Sequence, residues 1–216
     1  MVQVINANSL SLREVRQRFQ FEPAVERDFS KFLTLSPLTP VQRDRIAEIR
    51  GGWQHYQDDS KVSEGQVGVL AVSPILWASG YASDPDICIS VETNIEDIAL
   101  DDDETVIRGR MDMVVNQRWN GDQVPFCILV IETKNNAAHT SVGLPQLLTY
   151  TGTFLENQDT IWGLLTNGMD YQYVLVEKGI YRQFPVLSFL LQDQAEEMLQ
   201  VAIAIRKQFK DEQDKK

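Results

Sequence analysis

Two charged residues, Glu132 and Lys134, stand one residue apart at the end of an unbroken apolar run, Cys127 to Ile131, in the stretch CILVIETK. A run apolar at every position reads as a strand covered on both faces. Alternate residues of a strand share a face at about 3.3 Å rise per residue, so the carboxylate and the ammonium project to the same side, about 6 to 7 Å apart along the chain. Charges beside a buried strand cost several kcal/mol unless they are paired or bind something. The alternative is a strand that simply reaches solvent at this point.

A second acid breaks an apolar stretch upstream. Asp112 lies among Met111, Met113, Val114 and Val115, and the segment between the two runs contains Asn120-Gly121, a hairpin turn signal. Such a hairpin brings Asp112 near Glu132. Two carboxylates that close repel unless a cation lies between them. Hard oxygen ligands completed by water suit Mg²⁺ or Mn²⁺ better than Zn²⁺, for which the chain offers only His55 and His139 at unhelpful spacing. Beside such an ion, Lys134 could favour the hydroxide form of a bound water and counter charge on a phosphoryl group.

The elements that position these residues follow from pattern. Helices are expected over SLREVRQRF, around AVERDFSKFL, and from Thr39-Pro40 through TPVQRDRIAEIRGGWQHY. Ser63 caps a further helix through EGQVGVLAV, interrupted at Pro74 and continuing through ILWASGY to a glycine stop. Three strands follow, in DICISVET, TVIRGRMDMVVNQ and PFCILVIETK, then a helix in VGLPQLLTYTGTFL with Pro145 in its first turn. Strands in TIWGLLTNG and YQYVLVEKG, a short one near IYRQF, and a last amphipathic helix over 193–209 complete the chain.

Asp112 and the trio Glu132-Thr133-Lys134 together resemble the D…ExK signature of the PD-(D/E)xK nuclease superfamily, with Met111 where many members have proline. The order helix, three strands, helix, strand matches the core of that family. Gln146 and Tyr150 form a QxxxY pattern similar to that of RecB-like nucleases and of the nuclease domain of type I restriction R subunits; four residues apart, they share one helix face. The first helix and the stretch GLLTNGMDYQYV also resemble those R-subunit domains, over about residues 60–185, and no ATPase or translocase motif follows.

The resemblance implies an α/β protein with a mixed sheet, a restriction-endonuclease-like core at 61–187, an N-terminal accessory helical segment at 1–60, and a C-terminal helix and charged tail at 188–216. It implies a Mg²⁺- or Mn²⁺-dependent DNA nuclease, with Asp112, Glu132, Lys134 and Gln146 catalytic. Glu64, Tyr150 and Thr133 would support them, with Asp112, Glu132 and Glu64 as metal ligands. Arg108 and Arg110, read on one strand with Asp112, are candidates for phosphate contact, although strand-edge solubility explains them nearly as well. The rival readings are a non-catalytic nuclease-fold protein that binds a partner or nucleic acid, and a hydrolase of another phosphate ester.

Composition bounds these expectations. The chain has 216 residues, 43% hydrophobic, enough for a full core. Its 20 basic and 31 acidic side chains give a net charge of −11, which opposes indiscriminate DNA binding. Binding would use a local basic surface, with Arg13, Arg16, Arg18, Arg43, Arg45 and Arg50 as candidates, a second copy of the chain, or a delivering partner protein. The acids of 84–104, ending in Asp101, Asp102, Asp103 and Glu104, read as a solvated loop. Cys88 and Cys127 lack metal-ligand spacing and read as reduced core thiols. Neither a signal peptide nor a membrane span is legible, so a cytoplasmic location is expected.

Overall fold

A computed structural model describes residues 3–59, 61–95, 98–99, 105–118 and 126–213. The acidic stretch at 101–104 and the Asn120-Gly121 turn lie outside the described residues. The elements are β1 (Gln3–Asn6), α1 (Leu12–Phe19), β2 (Glu22–Val25), α2 (Pro40–Asp59), α3 (Glu64–Val67), α4 (Ser73–Ala78), β3 (Ile87–Asn94), β4 (Ile98–Ala99), β5 (Thr105–Arg108) and β6 (Arg110–Gln117). Then come β7 (Cys127–Thr133), α5 (Leu144–Phe154), β8 (Thr160–Thr166), β9 (Asp170–Glu177), β10 (Ile180–Ser188) and α6 (Gln192–Gln213).

Seven strands form one mixed sheet in the order β2-β10-β9-β8-β7-β6-β3, and β1, β5 and β4 form a small second sheet. Because β7 is buried at every position, both faces of the large sheet are covered. Residues of α2, α3, α4 and α6 pack on one face, around Trp53, Ile75, Leu129, Ile131 and Leu199. α1 and α5 pack on the other, where Val15, Leu144, Leu147 and Leu148 meet Val114, Val130 and Leu165. Each such buried leucine contributes about 1.5–3 kcal/mol relative to exposure. The order helix (α3 and α4), three antiparallel strands (β3, β6, β7), helix (α5) and parallel strand (β8) is the expected one. The fold is mixed α/β, a large mixed sheet flanked by helices, compatible with a restriction-endonuclease-like core.

Four local expectations are corrected. The helix expected around AVERDFSKFL is absent: residues 22–25 form β2, an edge strand paired in parallel with β10. Its backbone is satisfied by the sheet (Glu26 N–H to the Gln183 carbonyl, 2.9 Å), and Phe29 leaves the segment to stack on Phe184 with centroids 4.5 Å apart. Tertiary pairing and aromatic burial outweigh helix propensity there. Pro74 does not interrupt its helix. The missing N–H is absorbed by a π turn at Gly68–Val72, in which the Ser73 N–H reaches back to Gly68.

The strand expected over TVIRGRMDMVVNQ is broken at Gly109, with β5 in the small sheet and β6 in the large one. A Cβ at Gly109 would lie 2.8 Å from Tyr150 Cε1 and 2.9 Å from Ala7 Cβ, so the chain turns where only glycine fits. Arg108 and Arg110 therefore do not share a strand with each other. The short strand near IYRQF runs on to Ser188 instead, with its register shifted between Gln183 and Val186, where Pro185 has no N–H to give. Within residues 1–60, two strands join the two helices.

Both cysteines are free. Asn116 pairs with Cys88 on one side and Cys127 on the other, so two inter-strand spacings, about 9.5 Å, separate their backbones, too far for a disulfide.

Candidate active site

β6 and β7 pair as far as Met113 with Ile131, which sets Asp112 and Glu132 at the next facing positions. The ladder does not continue normally there. Thr133 N–H donates to Asp112 Oδ2 at 2.7 Å, and Thr133 Oγ1 donates to the same oxygen at 2.8 Å. The Asp112 carboxylate thus takes the donor on the β6 side of Thr133, while the Lys134 N–H donates to the Thr166 carbonyl of β8 at 2.8 Å. A charged acceptor holding two donors is fixed in rotamer, and its Oδ1 is left for another partner.

Glu132 is 1% exposed. Lys134 Nζ donates to its Oε1 at 2.6 Å, whereas Oε2 is buried without a hydrogen-bond partner. Burial, reinforced by the negative charges of Asp112 and Glu64 and outweighing Lys134, pushes the Glu132 carboxyl up to about 8. An orphaned buried carboxylate oxygen costs stability and is uncommon enough to need an explanation.

Lys134 is itself only 9% exposed, and its Nζ lies 3.9 Å from Glu64 Oε1. Glu64 occupies the first turn of α3, begun by a capping box in which Ser63 and Gln66 exchange bonds. α3 is tied to the end of β7 by Asn136, whose Oδ1 accepts from the Val62 N–H at 3.1 Å while its own N–H donates to the Val62 carbonyl at 3.4 Å. That clamp sets the Glu64 to Lys134 spacing. It was not read from the sequence; an asparagine just past the ExK trio is the only signal for it.

α5 supplies the other wall. Gln146 Nε2 donates to the Tyr150 hydroxyl at 3.4 Å, and that hydroxyl donates to the Arg110 carbonyl at 3.1 Å. Gln146 is half-buried and Tyr150 is 1% exposed, its hydroxyl pushed upward first by burial. Tyr150 is therefore a core ring with a polar end that links α5 to the start of β6. Gly143, also unread from the sequence, precedes α5 so closely against the site that a Cβ would lie 2.9 Å from Glu132 Cγ and 3.5 Å from Lys134 Cε.

The remaining candidates are outlying. Arg110 is exposed and pairs with Glu92 at 3.4 Å; Arg108 is exposed on β5. His139 is exposed and caps the short 3₁₀ helix at Thr140–Gly143, accepting from the Ser141 N–H at 3.2 Å. The structure thus brings together Asp112, Glu132, Thr133, Lys134 and Glu64, with Gln146 and Tyr150 joined to them through β6.

Among the described residues, no three His, Cys, Asp or Glu side chains converge as a metal-holding group. The donor chemistry nevertheless fits a hard divalent ion that keeps much of its water: Glu132 Oε2 and Asp112 Oδ1 are carboxylate oxygens without donors, and Glu64 adds negative charge nearby.

No family model and no curated protein matches the sequence. Among solved structures, the chain is similar to a fragment of a putative HsdR subunit of a type I restriction enzyme from Vibrio vulnificus YJ016, at 20% identity and a TM-score of 0.39. The match covers 67% of this chain and 26% of that one, a distant likeness to part of a longer protein. No described helix is long and apolar enough to cross a membrane.

Proposed function

We propose that the protein is a metal-dependent nuclease that hydrolyses phosphodiester bonds in DNA, of the restriction-endonuclease kind. The observation that carries this reading is Glu132: a buried carboxylate with one oxygen on Lys134 and the other unpartnered, facing the carboxylate that Thr133 holds on the next strand. A purely structural ion pair would satisfy both oxygens.

Asp112 and Glu132, helped by Glu64 and the Thr133 carbonyl, would hold Mg²⁺ or Mn²⁺. When bound, the ion supplies an acidified water and neutralises charge on the phosphoryl oxygens. Lys134 orients the attacking water and counters the charge developing on phosphate. Gln146, fixed by Tyr150, positions that water or a phosphate oxygen, and Arg108 and Arg110 would contact the DNA backbone. One such site cuts one strand, so a double-strand break needs a second copy or a second encounter. DNA is the substrate, reached with a second copy or a delivering protein.

The test is nicking of supercoiled plasmid by the purified protein with Mg²⁺ or Mn²⁺. Activity that disappears with EDTA and in Lys134→Ala is the expected result. If the wild type binds neither metal nor DNA and cuts nothing, the protein is a nuclease fold without catalysis.

A further inference from the structure

Asp112 and Glu64 flank Glu132, and one ammonium, that of Lys134, lies among these acids. Lys134 Nζ lies 2.6 Å from Glu132 Oε1 and 3.9 Å from Glu64 Oε1, and its side chain is 11% exposed. The ammonium therefore sits between two of the three acids that would hold a metal. It takes one Glu132 oxygen and leaves the other, Oε2, buried and bonded to nothing. That division leaves one carboxylate with an oxygen held by the protein's own ammonium and the other open to a second cation.

We propose that Lys134 is the resident cation of this site, and that a divalent ion enters by exchange with it rather than beside it. The inference rests on the metal-dependent reading above. The ion would be taken first by the free oxygens, Glu132 Oε2 and Asp112 Oδ1. Repulsion then drives the ammonium off Oε1, and Glu64, more exposed and already within 3.9 Å, receives it. No bond between heavy atoms is made or broken: the ion would take the Glu132 carboxylate, any proton that carboxyl carries would leave to solvent, and the ammonium would pass from Oε1 to Glu64. The exchange places Lys134 toward solvent and substrate only when the ion is in place, so the residue is free to meet a phosphate only in the loaded site.

The consequence runs against the usual effect of deleting a site residue. Lys134→Met, which keeps the length and removes the charge, should bind Mn²⁺ more tightly than the wild type, by roughly tenfold or more, the scale of losing a hydrogen bond to a charged group. Repulsion alone could also tighten binding, so the second measurement reads Lys134 in the wild type. Its ¹⁵Nζ ammonium resonance, held by Glu132 in the metal-free protein, should shift as Mg²⁺ is added, with the same midpoint as binding measured by calorimetry. An unmoved Lys134 resonance at saturating Mg²⁺, or Mn²⁺ binding by Lys134→Met no tighter than by the wild type, overturns the exchange while leaving a metal-binding site. If neither protein binds Mn²⁺, the exchange and the metal-dependent function fall together.

Discussion

Replacing Glu132 by glutamine should stabilise the metal-free fold at alkaline pH while abolishing cleavage. Glu132 has its carboxyl raised to about 8 from an ordinary 4.5, with burial as the leading cause. Because the folded state holds this proton more tightly than the unfolded chain does, the stability it contributes is fully present below about 4.5 and is lost as pH rises to about 8. At about 1.4 kcal/mol per unit, that loss reaches about 5 kcal/mol across the window, with about 3 kcal/mol gone by pH 7. Glutamine cannot ionise, and its Oε1 can accept the Lys134 hydrogen bond in the same place. Urea unfolding of both proteins, without metal, from pH 5 to 9 reads the effect, since titrations of groups remote from Glu132 cancel in the difference. The variant should match the wild type within about 1 kcal/mol at pH 5 and exceed it by several near pH 9. A difference that does not change with pH would falsify the claim that burial holds the Glu132 proton up to about 8.

Two substitutions test the packing that builds the site. At Gly143 the backbone lies at φ −79° and ψ −12°, ordinary for alanine, so Gly143→Ala acts only through its methyl against Glu132 Cγ and, at 3.2 Å, Leu165 Cδ2. Overpacking of this kind costs about 1–3 kcal/mol, and plasmid nicking should fall at least about tenfold through displacement of Glu132; unchanged nicking would show that the Glu132 position is not shared with Gly143. Gly168 has φ +84°, and a Cβ there would run into Trp53 Cζ2 and lie 2.9 Å from Trp53 Cε2, so Gly168→Ala should lower the thermal midpoint by more than about 10 °C in a chain this size. A change of only a degree or two would mean that α2 does not rest on this turn as tightly as the geometry requires.

The framework of the site was legible because its signals are local. An apolar run with charges at its end, a second acid inside the preceding strand, and glutamine and tyrosine four apart on a leucine-lined helix each show in a few residues, and the ordered elements between them follow from period and capping. The contacts that hold the site were not legible, because each joins residues distant in sequence. Asn136 clamps Val62, Gly143 gives way to Glu132, and Trp53 covers Gly168. The same reason hid β1 and β2: four-residue strands take their identity from the partner strand, β5 or β10, rather than from their own alternation. Gly109 shows the limit most plainly. As a residue it looks like an interruption inside one strand; its role as the corner between two sheets depends on Tyr150 and Ala7 filling the place of its side chain.

Net charge narrows how such a site could be used on DNA. Of the six arginines singled out in the N-terminal helices, Arg16 donates to the Phe21 carbonyl and pairs with Glu22 at 3.4 Å, Arg45 pairs with Glu48 at 2.6 Å, and Arg50 donates to the Leu190 carbonyl. Guanidinium groups engaged in this way are partly neutralised before DNA arrives, and a chain of net charge −11 adds repulsion around them. Arg13, Arg18 and Arg43 are then the better candidates for phosphate contact. Even with Arg108 and Arg110 added, so small a set of contacts releases few counterions, and intrinsic affinity would be modest. On the proposed nuclease reading, a chain of this charge would act where a second copy or a partner raises the local DNA concentration, and the divalent ion would supply at the cut site the positive charge that the surface lacks.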